Sequence, residues 1–209
     1  FGDGVWDIII YAEDEAGNFD SASLFFTVDT KKPKIRKTLP SGKWANGDFM
    51  IFYDETQVDH ISLFYGLNDQ YQERILNGCP SGNKQECAVT VDLSMFDGGE
   101  VDVYWAVVDN HFSVSSKVNT FDVDISDPVF DHFMYDVNGD EVNFEMGTNE
   151  KVDFAYIDTF DRNPKFKNLC RAKTICHVAR RFKEGNHVVT VRAVDPAGNS
   201  VEREITFSI

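Results

Sequence analysis

The sequence predicts an all-β chain built of tandem β-sandwich domains, the first of them incomplete. Three observations carry this. A segment pattern recurs three times, short runs of alternating apolar and polar residues flank polar turns, and no stretch shows the periodicity of an amphipathic helix.

The recurring segments are Phe1 to Val28, Phe96 to Val123 and Phe182 to Ile209, which align without a gap. Each opens on a Phe (Phe1, Phe96, Phe182) and places an Asp at a fixed distance (Asp14, Asp109, Asp195). A second Phe follows (Phe26, Phe121, Phe207), and an aliphatic residue closes the segment (Val28, Val123, Ile209). In the last copy Val189, Val191 and Ala193 alternate with Thr190 and Arg192, and Ile205 and Phe207 flank Thr206. Two such runs joined by a polar turn read as a β-hairpin. The turns Asp14-Glu15-Ala16-Gly17-Asn18 and Asp195-Pro196-Ala197-Gly198-Asn199 suit it, because Pro presets φ and Gly or Asn tolerates φ > 0.

The junctions repeat as well: Val28-Asp29-Thr30-Lys31-Lys32-Pro33 matches Val123-Asp124-Ile125-Ser126-Asp127-Pro128. Pro cannot extend a central strand, so it marks the place where one domain ends and the next begins. The expected division is residues 1–32, the closing hairpin of an incomplete domain, then complete domains at 33–126 and 127–209 with about seven strands each. About thirty residues cannot bury a core alone, so the first hairpin is expected to take its partner strands from elsewhere, either upstream sequence or another copy by strand complementation. In the front halves, Asn46-Gly47 and Asn138-Gly139 sit between strand-like runs and read as tight turns. Ile61, Leu63 and Tyr65 in one copy, and Val152, Phe154 and Tyr156 in the other, mark further alternating strands.

The string Gly185-x-x-x-Val189-x-Val191-x-Ala193-x-Asp195-x-Ala197-Gly198-Asn199, with its Val-Asp-x-x-x-Pro junctions, resembles the immunoglobulin-like and fibronectin type III-like repeats of prokaryotic surface proteins. The stretch from Leu169-Cys170 to Cys176 is similar to versions found in archaeal extracellular proteins. The resemblance covers nearly the whole chain. It implies tandem immunoglobulin-like sandwiches, an extracellular or cell-surface location, and a structural role in a surface-layer, pilus-like filament or stalk protein. The alternative it implies is an adhesin or a carbohydrate-binding accessory module. The middle copy departs from the pattern, with Asn110-His111-Phe112-Ser113 in place of the usual turn.

The four cysteines form two local pairs at matching positions, Cys79 with Cys87 and Cys170 with Cys176. An even count in such a chain favours disulfides over free thiols, and zinc would need ligand pairs from different domains to converge. The 209 residues carry a formal net charge of −15, which repels a phosphate backbone and excludes nucleic acid as a partner. No apolar run reaches the length of a membrane-spanning helix. There is no Gly-x-Ser-x-Gly, no His-Glu-x-x-His and no phosphate-cradling glycine loop, so no catalytic site is expected and no cofactor beyond a cation.

Three candidate sites remain. Asp136, Asn138 and Asp140 present oxygens at alternate positions, as calcium prefers, and the junction acids Asp29, Asp124 and Asp127 are a second place where an ion could clasp two domains. A locally basic stretch, with Arg171, Lys173, Arg180 and Arg181 at its centre, is a candidate dock for an acidic repeat of another copy. His111 and Phe112, at the tip of the aberrant turn, are candidate contact residues, and Trp44, Phe64, Tyr65 and Tyr71 are aromatics able to stack on a glycan.

Overall fold

A computed structural model describes all residues 1–209 and is all-β apart from one short turn of 3-10 helix at Ser94–Phe96. The strands in chain order are β1 (Gly4–Glu13), β2 (Phe19–Val28), β3 (Lys34–Leu39), β4 (Trp44–Ala45), β5 (Asp48–Glu55), β6 (Val58–Leu67), β7 (Gln70–Leu76) and β8 (Gly82–Thr90). They continue with β9 (Glu100–Asp109), β10 (Ser113–Ser115), β11 (Asn119–Val123), β12 (Phe130–Asn138), β13 (Glu141–Asp158), β14 (Lys167–Arg181), β15 (Asn186–Val194) and β16 (Ser200–Ser208). β1 and β2 form a sheet of their own; β3-β5-β8 and β4-β11-β9-β6-β7, with β10 beside β9, form two more; β12-β13-β15-β16, with β14 beside β13, form the last. The chain is thus a series of immunoglobulin-like β-sandwich elements preceded by a lone hairpin.

The residues gather into two compact units, one of 1–38, 50–88 and 103–118, the other of 39–49, 89–102 and 119–209. In the first, alternation sends Ile51, Tyr53, Ile61, Leu63, Val103, Trp105 and Val107 inward, all nearly inaccessible. The Tyr53 hydroxyl donates to the Pro80 carbonyl at 2.6 Å, and burial pushes its pKa up. The β1–β2 hairpin is regular from Gly4↔Val28 to Glu13↔Phe19, yet Val5, Ile10, Tyr11, Phe19, Leu24 and Phe25 are each more than half exposed. Two strands alone cannot cover their own apolar faces.

In the second unit Phe49 meets Phe121 edge to face, and a separate core gathers Phe144, Met146, Phe154, Tyr156, Phe182, Val189, Val191 and Ile205. Here one long strand replaces two expected ones. The runs before and after Gly147 are halves of β13, which shifts register against β14 between Gly147 and Val152. Such an irregularity bends a strand without ending it.

Both cysteine pairs are bonded, Cys79–Cys87 and Cys170–Cys176. The second lies within β14, spanning Ala172, whose φ is +50° and whose amide donates to Asp153 Oδ1 at 2.8 Å. It therefore ties together the two halves of a bent strand. The loop-entropy account puts each of these short bridges at about 2–3 kcal/mol. Replacing Cys170 and Cys176 by Ser is expected to lower Tm by roughly 5–10 °C, since each kcal/mol shifts a domain of this size by about 2–4 °C. Circular dichroism melts of the two proteins check this; coincident curves would mean that hydrogen bonds alone fix the bend.

Candidate functional site

The junction segments are held at defined places rather than left as linkers. In the first, Asp3 accepts from the Thr30 amide at 2.8 Å and the Thr30 hydroxyl at 2.6 Å, and pairs with Lys31 at 2.9 Å. These donors, the Thr30 hydroxyl first, hold the Asp3 carboxyl at a pKa of about 2. Asp29 turns back to accept from the Lys31 amide at 2.9 Å. In the second junction Asp124 accepts from the Ser126 amide at 3.1 Å, and Asp97 accepts from the Ile125 amide at 3.2 Å. The two segments fold in the same local way because each presents an Asp two residues before an amide it can reach.

Asp29 and Asp124 each lie in a trio of carboxylates. Asp29 just past β2, Glu55 at the end of β5 and Asp109 at the end of β9 each have an oxygen within 4.8 Å of the other two. Asp124 just past β11, Glu150 within β13 and Asp195 just past β15 do the same. The trios repeat member for member: a junction Asp, a strand Glu and the landmark Asp of the hairpin turn. Glu55, Asp109 and Asp195 are buried. Burial, followed by the charges of Asp124 and Asp195, raises the pKa of Glu150 above its ordinary range.

The turns differ in a telling way. Asp195 Oδ1 accepts from the Gly198 and Asn199 amides at 2.6 and 2.9 Å, and Oδ2 accepts from Asn199 Nδ2 at 2.8 Å. That same Nδ2 donates to the Asp124 carbonyl at 2.9 Å, joining turn to junction. The Asp14 turn is built alike, with the Asn18 amide on Oδ1 at 2.9 Å and Asn18 Nδ2 on Oδ2 at 2.8 Å. In the middle copy Asp109 Oδ1 accepts from the His111 and Phe112 amides at 2.6 and 2.5 Å, but Ser113 stands where the Asn would be. Asp109 Oδ2 is buried and has no hydrogen-bond partner. The junction meets this turn otherwise: the Lys32 ammonium lies 5.4 Å from the Phe112 ring centroid.

The other sequence candidates are spread out. Asp136 and Asn138 end β12 and Asp140 sits in the two-residue turn that leads into β13, with Asn138 paired to Glu141 and Gly139 at φ +63°. Arg180 donates to the Ala179 and Asn168 carbonyls, Arg181 lies 4.0 and 3.9 Å from Asp140 and Glu141, and Arg171 and Lys173 stand exposed at the bend of β14. His111 is exposed beside Phe112. Phe64 stacks on Tyr104 at 4.6 Å, and Tyr71 meets Tyr104 edge-on, so these rings are largely occupied with one another. Asp127 joins neither trio. Glu55 and Glu150 escaped sequence reasoning, and their only signal is a charged residue at the end of, or within, an otherwise inward-facing strand pattern.

No family model matches this chain, and no curated protein matches it. Many solved structures are similar to it, among them these three. A tetra-tandem repeat in the extending region of a large adhesion protein shares 17% identity over 99% of this chain and 57% of that one, with a TM-score of 0.39. The fibronectin(III)-like modules of Clostridium thermocellum CbhA share 12% over 85% and 94%, with a TM-score of 0.43. The FN1–FN3 domains of chicken CNTN1 share 10% over 98% and 76%, with a TM-score of 0.43. This chain spans little more than half the length of the first.

Proposed function

We propose that the chain is a structural module of an extracellular protein, a spacer in a stalk, surface-layer or pilus-like assembly whose junction segments are tied down to the domain they lead into. One observation carries the reading: Asn199, nine-tenths buried, uses a single amide to hold the Asp195 turn and the Asp124 carbonyl of the preceding junction together. A linker meant to tumble has no need of a buried clasp. Two disulfides suit an oxidising, extracellular setting. The role is mechanical, and no chemistry is assigned to it.

The test is amide ¹⁵N relaxation on the whole chain. The strand β11 and the Asp124 junction are expected to share one tumbling time with the strands after Pro128. Asn199→Ala removes two hydrogen bonds, worth about 1–3 kcal/mol together, and is expected to give the later strands a shorter tumbling time of their own while their fold persists. Independent tumbling in the unmodified chain would sink the spacer reading.

A further inference from the structure

We propose that Asp29, Glu55 and Asp109 form a binding site for a hard divalent cation of the calcium class at the first junction. Two observations point to it independently. The three carboxylates converge within 4.8 Å, which sets like charges against one another unless a cation lies among them. Within that cluster Asp109, 6% exposed, keeps one oxygen buried with no donor of any kind. A buried acceptor left bare is destabilising and rare in folded proteins.

The repeat shows that the bare oxygen is a departure from the other turns. At Asp14 and at Asp195 an Asn four residues on donates its side-chain amide to Oδ2. At Asp109 that Asn is replaced by Ser113, and the oxygen it would have satisfied is left free. The nearby ammonium groups are engaged: Lys31 pairs with Asp3, and Lys32 lies over Phe112. One oxygen of Asp29, of Glu55 and of Asp109 is tied to a backbone amide (Lys31, Gln57, and both His111 and Phe112), which orients each carboxylate. All three side chains offer only oxygen, the donor that calcium prefers, whereas the thiolate and imidazole ligands typical of structural zinc sites are missing from the trio.

The ion would join residues from the junction, β5 and the closing turn, doing at the first junction what Asn199 does at the second. That consequence rests on the spacer reading; binding itself does not. Calorimetric titration of calcium chloride into the whole chain is expected to show a site with Kd on the order of 10⁻⁴ M, the range of extracellular calcium modules. Glu55→Gln and Asp29→Asn should each weaken it about tenfold or more, because ligand charge sets calcium affinity. Ser113→Asn restores the amide found in the sister turns and should weaken calcium binding while leaving the circular dichroism spectrum and the Tm without calcium intact or raised. No heat of binding up to millimolar calcium would overturn the proposal. So would binding that survives all three variants, or binding lost only with Glu150→Gln, which would put the ion in the second trio. Loss of junction stiffness with normal calcium binding would count against the spacer alone.

Discussion

Asp158→Ala is expected to destabilise the second compact unit by about 3–5 kcal/mol, the usual consequence of removing one partner from a buried pair, lowering Tm by roughly 10 °C. Asp158 and His187 are 3% and 2% exposed, with Oδ2 and Nδ1 at 2.7 Å. The other ring nitrogen faces the Lys183 carbonyl at 2.8 Å; a carbonyl only accepts, so that nitrogen carries a proton. Asp158 Oδ1 accepts from the Phe160 amide at 3.0 Å. Around the imidazole stand the rings of Phe160, Phe182 and Phe207, at 4.7, 5.2 and 5.3 Å. Water cannot replace a lost partner in such a box. Asp158→Leu combined with His187→Phe removes both polar groups and is expected to recover most of the loss, since well-packed apolar groups often do as well as a buried polar pair. Urea unfolding of the single and double variants measures both. A single variant as stable as the parent would mean the pair is not a structural anchor.

This pair shows how far the sequence could be read. His187 begins the alternation that continues through Val189, Val191 and Ala193, so its inward direction was legible from period two alone. Its partner was not. Asp158 lies at the end of a strand that bends midway, and register across that bend depends on contacts distant in sequence. The junction was legible for a similar reason and to a similar degree. Asp29 and Asp124 declared themselves by repeating beside Pro33 and Pro128, and Asp109 and Asp195 by repeating within the hairpins. That these two sets converge, and that a Glu from a third element completes each trio, is a product of packing. The closing hairpin was read well in the first and last copies. In the middle copy β10 stops at Ser115 and β11 begins at Asn119, so the second strand of that hairpin is interrupted. There Ser116 donates its amide to the Trp105 carbonyl at 2.8 Å and accepts from the Trp105 amide at 2.9 Å through its hydroxyl.

Gly47→Ala is expected to destabilise the protein by more than about 3 kcal/mol, whereas Gly139→Ala, at the same position of the same Asn-Gly dipeptide, should lose only about 1–2 kcal/mol. Gly139 has φ +63°, the left-handed region, with nothing near the place a Cβ would occupy. An L-residue can sit there for roughly 1–2 kcal/mol. Gly47 has φ +103°, outside that well, and a Cβ there would run into the Val91 backbone carbonyl. Its own carbonyl accepts from the Val91 amide at 2.9 Å, and Thr90 donates to Asp48 at 2.6 Å, so the two segments are locked face to face and cannot part without losing both bonds. Backbone strain of about 1–3 kcal/mol therefore adds to the displacement of a buried strand end. Chemical denaturation of the two variants decides the matter, and equal losses would show that the close approach at Gly47 yields easily. Asn-Gly announces a turn in both copies, but only the packing partner makes one of them a place where the chain has no alternative to glycine.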